Sequence, residues 1–151
     1  MKNLKVKLDI ECPISEIDST LNTAFEGGSN YWYNLNHDDI AKAKGWLQEK
    51  IVKGELKRNP EVHYEFMDAI YQGYKDGIRV YDINEMEHDE DYNDDNCLGV
   101  ITMDKIIEGL KECAKQDSEN FNQHFPEYNN GDVCSADVVF QYIVMKDCIF
   151  G

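Results

Sequence analysis

The fold class is decided by residues 77–110, GIRVYDINEMEHDEDYNDDNCLGVITMDKIIEGL. Two short runs of β-prone apolar residues, 78–83 and 98–101, flank a polar acidic segment, which is typical of two antiparallel strands joined by a loop. Thr102 can then cap a helix whose apolar positions follow helical spacing, namely Met103, Ile106, Ile107 and Leu110. This order of elements predicts a small antiparallel sheet packed with helices.

Helical spacing of apolar residues recurs on both sides of this stretch. Residues 14–25 predict a first helix with Ser15 as its N-cap and Gly27 and Gly28 at its end. Residues 38–51 predict a second helix capped by Asp38 or Asp39. Residues 61–74 predict a third helix, and residues 135–147 predict the last.

The two remaining segments differ in pattern. Apolar and polar residues alternate in the first ten positions, and this alternation predicts a strand with Leu4, Val6, Leu8 and Ile10 on one face. Residues 116–131 are polar and predict irregular structure past Phe125 and Pro126. We therefore predict one α+β domain over residues 1–151, with a small antiparallel sheet, about five helices and an acidic loop at residues 85–96.

Charge is the dominant feature of the composition. Fifteen Lys and Arg residues stand against thirty Asp and Glu residues, so the formal net charge is −15. Nucleic-acid affinity comes largely from basic side chains that displace counterions, so we predict no direct binding of nucleic acid. The same repulsion disfavours anionic membrane surfaces. The charge favours either simple solubility or attraction to a basic surface on a partner.

The acidic loop is the first candidate site. Its carboxylates crowd together without any Lys or Arg between Arg79 and Lys105. A calcium loop starting at Asp91 would fit at its first, third and fifth positions, but Asn96 and Thr102 fail the diagnostic Gly and Glu positions. We therefore predict no metal site, and the open alternatives are a solvated loop and a contact surface for a basic partner.

The aromatic loop, residues 29–34, is the second candidate site. Gly27 and Gly28 allow a sharp turn before three consecutive aromatic residues, which cannot all point inward. A planar ligand can stack on an exposed aromatic ring. The alternative is that Trp32 anchors the core while Tyr31 and Tyr33 lie on the surface.

Catalytic and redox motifs are not found in the sequence. No serine lies in G-x-S-x-G, and no glycine-rich phosphate loop occurs. His37 and His88 lie beside acidic residues but in no metal-binding array. The five cysteines are widely spaced, which is typical of free thiols in a reducing compartment. No apolar segment predicts a signal peptide or a membrane span, so we expect a cytoplasmic protein. Because the sequence contains no catalytic motif, we expect that the protein is not an enzyme and needs no cofactor.

Residues 24–32, AFEGGSNYW, resemble a helix-end signature of small proteins from tailed phages and prophages, many in Gram-positive hosts. Residues 136–142, ADVVFQY, and the closing IFG of residues 149–151 are similar to the C-terminal part of the same proteins. The resemblance spans most of the chain and rests on structural motifs. It implies a phage origin and action in the host cytoplasm. The loop at residues 85–96 is longer and more acidic than in those proteins, which implies that specificity resides there.

Small accessory phage proteins often counter host defence, and two non-enzymatic functions fit these residues. The first is an inhibitor that binds a basic, nucleic-acid-binding surface of a host immune protein, as many anti-CRISPR proteins do. Its contact residues would be Asp89, Asp91, Asp94 and Asp95. The second is a sponge for a cyclic nucleotide immune signal, as in Thoeris and CBASS anti-defence proteins. Its ligand would contact Asn30, Tyr31, Trp32, Tyr33, Lys53, Lys57 and Arg58. We predict the inhibitor. Sponges usually bind between subunits, so homo-oligomerisation stays open.

Overall fold

The computed structural model describes residues 3–4, 9–88, 92–126 and 131–151. The described strands are β1 (Tyr33–Leu35), β2 (Ile78–Asp82) and β3 (Cys97–Ile101). The described α-helices are α1 (Ile14–Thr23), α2 (His37–Val52), α3 (Glu65–Tyr71), α4 (Met103–Gln116), α5 (Ser118–His124) and α6 (Val133–Met145). A π-helical turn, Ala24–Gly28, extends α1, and short 3₁₀ turns at Ile83–Glu85 and Asp94–Asn96 lie between β2 and β3.

The sheet confirms the predicted fold class. Its three described strands are antiparallel in the order β1-β2-β3. Leu35 pairs with Val80, and Ile78 pairs with Ile101, so buried apolar side chains lie in register across the sheet. The hairpin of β2 and β3 is the one that the sequence predicted, and the acidic loop connects its strands.

Helix α6 lies at the centre of the packing. It contacts α1, α4, α5 and β3, and most of its residues are buried, which explains its continuous apolar sequence. Helix α4 crosses α6 closely at Gly109, where a Cβ atom would overlap the backbone of Ile143. This close approach requires glycine at position 109.

Two of the predicted helix caps are wrong and one is confirmed. Helix α1 begins after Pro13 without a side-chain cap, so Ser15 does not cap it. Helix α2 begins earlier than predicted, and the side chain of Asn36 accepts a hydrogen bond from the backbone N–H of Asp39. Thr102 caps α4 as predicted, by accepting from the N–H of Lys105 at 3.1 Å.

The predicted third helix is shorter than its apolar spacing indicated. Val62 and Tyr74 are buried but lie outside α3, because residues on either side of that helix turn back into the core. Helix α6 begins at Val133, two residues before the predicted start, and ends where Lys146 takes a left-handed conformation. The apolar spacing therefore predicted correctly which residues are buried, but it did not predict where the helices begin and end.

Two elements were not predicted. Strand β1 lies within the aromatic loop, and α5 occupies part of the polar segment before Phe125. The predicted N-terminal strand falls mainly on residues 5–8, which lie outside the described part of the chain. The neighbouring described positions, 3–4 and 9–10, have no regular structure.

Candidate functional site

The aromatic loop runs into the edge of the sheet instead of standing free. The loop follows the π-helical turn, in which Gly28 lies so close to α6 that a Cβ atom would overlap the carbonyl of Val133. Trp32 follows and is fully buried, and Tyr33 begins β1. Gly28, which has no side chain, thus lets the chain pass close to α6 before it enters the sheet.

The carboxylate of Asp137, on α6, holds this loop in place. Its Oδ1 accepts hydrogen bonds from Ser29 Oγ and Trp32 Nε1, both at 2.6 Å. Its Oδ2 accepts from Tyr31 Oη at 2.5 Å and from Gln141 Nε2 at 3.0 Å. Burial of the hydroxyl, together with its hydrogen bond to this carboxylate, raises the pKa of Tyr31. One buried carboxylate therefore organises the whole aromatic loop.

Gln141 extends this network to the C-terminal residues. Its Oε1 accepts from the backbone N–H groups of Ile149 and Phe150 at 2.9 and 2.8 Å, and its Nε2 donates to the Phe150 carbonyl at 2.9 Å. The Phe150 ring stacks on Trp32 with a centroid distance of 5.3 Å and an interplanar angle of 11°. Trp32 is therefore a core anchor with a ring already stacked on it, and it offers no free face to a planar ligand.

A cavity of about 410 Å³ lies beside the aromatic loop at the edge of the sheet. Of the residues predicted to bind a nucleotide, Asn30 and Tyr33 line it. The remaining described lining residues are Asn34, Leu35, His37, Ile40 and Ile83, so the described wall combines apolar, aromatic and amide side chains with one histidine and includes no Lys or Arg. We call this space the sheet-edge cavity.

Ile83, which lines the sheet-edge cavity, lies two residues before the acidic loop in the chain. Exposed or half-exposed carboxylates lie on the segments that leave β2 and enter β3. Asn96 Nδ2 donates to the carbonyl of Glu85 at 3.2 Å, which joins the two segments. We define the acidic face as the described carboxylates of these segments: Asp82, Glu85, Glu87, Asp94 and Asp95. The predicted contact residues Asp89 and Asp91 lie outside the described residues.

Tyr92 fixes the acidic loop to the rest of the fold. Its hydroxyl accepts from the backbone N–H of His37 at 3.0 Å and donates to the carbonyl of Leu35 at 3.2 Å. Its ring packs on Tyr81 with a centroid distance of 4.9 Å. Tyr92 is thereby held against β1 and the start of α2, next to the sheet-edge cavity.

No member of the acidic face forms an ion pair with any residue that the structure describes. The nearby cation is already used, because Arg79 donates to both carboxylate oxygens of Asp39 at 2.8 and 3.0 Å. Burial opposes ionisation of Asp39, but the hydrogen bonds and charge of Arg79 outweigh burial and lower the pKa of Asp39. The carboxylates of the acidic face are therefore not neutralised by an ion pair within the described part of the chain.

The basic residues predicted to bind an anionic nucleotide are largely committed to other contacts. Lys53 pairs with Glu49 at 2.7 Å. Arg58 pairs with the buried Asp68 at 2.9 Å and donates to the carbonyl of Val62 at 2.7 Å. Lys57 is exposed. None of the three lines the sheet-edge cavity, so the structure does not bring them together with Asn30 and Tyr33 in that space.

One pair with the chemistry of a nucleophile and a base was not found from the sequence. His124 Nε2 lies 2.7 Å from Ser135 Oγ, and its Nδ1 lies 3.2 Å from Thr20 Oγ1. Both His124 and Ser135 are almost fully buried, and Ser135 also accepts from the N–H of Asp132 in the capping box of α6. A substrate has no open path to this serine, so we interpret the pair as structural.

Within residues 3–4, 9–88, 92–126 and 131–151, no three His, Cys, Asp or Glu side chains are placed to hold a metal ion. Over the same ranges, no helix has the length and apolarity that crossing a bilayer requires.

Comparison with protein-family models, with curated proteins and with solved structures finds no match to this chain.

Proposed function

We propose that this protein is a phage-encoded, non-enzymatic inhibitor of a host antiviral defence system. It would act by presenting the acidic face to a basic, nucleic-acid-binding surface of a host immune protein. The observation that carries the proposal is the set of carboxylates without ion pairs among the described residues, held beside the sheet-edge cavity.

Electrostatics supports a partner with a basic surface. Carboxylates that are exposed and close together generate a negative potential that extends roughly a Debye length, about 8–10 Å at ordinary salt, into solvent. A surface that binds nucleic acid carries the opposite potential, so the two surfaces attract each other before contact. Tyr92 and the Asn96–Glu85 hydrogen bond hold the described carboxylates on anchored segments, which limits the entropy lost on binding.

The sheet-edge cavity offers a place for the side chain of a partner. Lysine and arginine have long apolar stems and charged ends. Leu35, Ile40 and Ile83 give the cavity an apolar wall for such a stem. The acidic face begins at Asp82, the chain neighbour of Ile83, and can neutralise the charged end. A basic side chain of the partner therefore finds both complementary surfaces within one small area.

The phage origin in this proposal rests on the resemblance of residues 24–32, 136–142 and 149–151. Residues 24–32 contribute Ser29, Tyr31 and Trp32 to the Asp137 network, while residues 136–142 contribute Asp137 itself and Gln141. The two similar stretches are thus halves of one structural unit. The unit supports the fold and leaves the acidic loop as the segment that distinguishes this chain.

The second candidate is the cyclic nucleotide sponge, and one observation favours it. Asn30 and Tyr33, both predicted ligand contacts, line the same cavity of about 410 Å³. An amide and a tyrosine ring are suitable groups for holding a nucleobase. No Lys or Arg occurs among the described residues that line the cavity, and this makes the candidate weaker, since a cyclic nucleotide carries phosphate.

The experiment that tests the proposal compares two sets of charge-neutralising substitutions. The first set neutralises the acidic face: D82N, E85Q, E87Q, D94N and D95N. The matched control removes five other exposed carboxylates without ion pairs among the described residues: E61Q, E65Q, D76N, D104N and E119Q. Both sets change the net charge equally, so only the position of the charge differs. A third set, K53Q and K57Q, tests the sponge.

The readout is the plating efficiency of phage on a host that carries the defence system, followed by association kinetics with the captured host protein. We expect the acidic-face set to lose protection and to lower the association rate by about tenfold or more at low salt, with a smaller effect at high salt. The control set should retain protection. Retained protection in the acidic-face set overturns the proposal, and loss in the K53Q and K57Q set alone establishes the sponge instead.

A further inference from the structure

We propose that a second site, an apolar groove between the start of α1 and helices α4 and α5, binds an anionic amphiphile with a single acyl chain. The groove has a volume of about 950 Å³. It shares no lining residue with the sheet-edge cavity and contains no member of the acidic face, so it is independent of the function proposed above.

The wall of the groove is mainly aliphatic. Buried side chains of Ile17, Leu110 and Phe121 form part of it, and Ile10, Ile14 and Ile107 line it while remaining 42–47% exposed. These three isoleucines belong to the eight large apolar side chains that the described residues leave exposed, so apolar exposure is concentrated here. Water in such a groove gains few hydrogen bonds, and its displacement by an alkyl chain is favourable.

The volume is that of a small-molecule site. Cavities that hold small ligands measure roughly 300–1,000 Å³, have mostly apolar walls and place a few polar groups to orient the ligand. The groove lies within this range and is elongated along α4, where its lining extends from Met103 to Lys115. An unbranched acyl chain matches this shape better than a compact ring system does.

Two lysines in the groove favour a negatively charged ligand. Lys111 and Lys115 line the groove four residues apart, so they lie on the same face of α4. Neither lysine forms an ion pair with a described residue, and Asp9, the one acidic residue in the described lining, also has no such partner. The described lining thus carries an excess of one positive charge in a chain whose net charge is −15. A carboxylate head group complements this local charge.

The test uses dodecanoate as the probe and isothermal titration calorimetry of the full-length chain. We expect one dodecanoate per chain, weaker binding of decanoate and octanoate, and a gain of up to about fourfold in affinity for each added methylene, as burial of an alkyl chain requires. Dodecyltrimethylammonium, which has the same chain and the opposite charge, should bind at least about tenfold more weakly.

Matched variants assign the binding to the groove. I14Q and I107Q make its rim polar, and K111Q with K115Q removes its positive charge. V52Q and K44Q with K75Q are the controls, because these exposed residues lie outside the groove. The groove variants should each lower dodecanoate affinity by about tenfold or more, and the controls should leave it unchanged. Since the altered side chains are exposed or at the surface, circular dichroism should show folded protein in every case.

The reactivity of Cys12 provides a measurement of binding that is independent of calorimetry. It lines the groove and is half-buried, so dodecanoate should slow its reaction with a maleimide while leaving exposed Cys134 unaffected. Absence of binding, equal binding of the cationic amphiphile, or binding that the groove variants do not change would overturn the proposal. A dimer that I107Q converts to monomer, without dodecanoate binding, would assign the groove to a second copy of the chain and also overturn it.

Discussion

Replacement of Asp137 is the most direct test of how the aromatic loop is held. The carboxylate accepts four hydrogen bonds, and two of the donors, on Ser29 and Trp32, belong to fully buried residues. A buried donor that loses its partner costs about 1–3 kcal/mol. The hydroxyl of Tyr31 lies nearer the surface and can recover a bond to water, so its loss costs less.

We therefore expect D137A to lower the free energy of unfolding by about 4 kcal/mol, allowing for incomplete additivity. D137N keeps one acceptor oxygen, which can serve Ser29 and Trp32, so its loss should be about 2 kcal/mol. For a chain of this size, the melting temperature should fall by roughly 10–15 °C for D137A.

The assay is urea unfolding followed by tryptophan fluorescence and circular dichroism, with D104N as the matched control. Asp104 is exposed and its replacement removes the same charge, so any effect of net charge cancels. Hydrogen exchange at the amides of Ile149 and Phe150 should also accelerate in D137A, because Gln141 loses its anchor. If D137N and D104N unfold within about 0.5 kcal/mol of each other, the carboxylate does not organise the loop.

Two further predictions concern backbone packing and pH. G28A should destabilise the protein by roughly 2 kcal/mol or more because its Cβ meets the Val133 carbonyl, whereas G27A, with open space around it, should cost little; equal unfolding midpoints would refute the close approach. Burial lowers the pKa of His124 from its ordinary 6.5, although nearby Asp132 opposes this shift. The stability that depends on neutral His124 should therefore be complete above pH 6.5 and decline as the pH falls through the folded pKa. In urea titrations across this pH range, the free energy of unfolding should decline less in H124Q than in H63Q. A pKa of His124 at or above 6.5, measured by NMR, would contradict this prediction.

The elements that the sequence predicted correctly are those whose signals are local. Thr102 and the apolar spacing that follows it lie within one helix, so the cap and helix α4 can both be recognised without knowledge of the tertiary structure. Strands β2 and β3 each contain five residues, enough for a run of β-prone residues to be visible. Strand β1 has only three residues, and it lies within an aromatic run that is also typical of a surface loop.

Helix α5 could not be predicted because it has little apolar surface. Only Phe121 and His124 of its sequence, SENFNQH, are buried, and two positions are too few to reveal a helical period. Its start depends on Asp117, whose side chain accepts from the N–H of Asn120. The helix is stabilised by its packing against α4 and α6, and such contacts leave no pattern in the segment itself.

The candidate sites also divide into those with a local sequence signal and those formed by residues far apart in the chain. The acidic face was visible as composition, because its carboxylates are consecutive or nearly so in the chain. The Asp137 network was not visible, since it joins Ser29 to a residue 108 positions later. The His124–Ser135 pair was missed for a similar reason, because neither residue lies in a recognised motif. Long-range polar networks of this kind require the tertiary structure before they can be seen.

Neutralising the carboxylates of the acidic face should affect binding and stability differently. With thirty acidic and fifteen basic residues, unpaired acids must occur somewhere on the surface, so their presence alone does not indicate a function. Clustering them without an ion pair to a described residue is different, because like charges held close together raise the free energy of the folded state. Neutralising the acidic face should therefore leave stability unchanged or increase it slightly, while it removes binding. Opposite signs of these two effects in the same variant would distinguish a surface kept for its partner from one that serves only solubility.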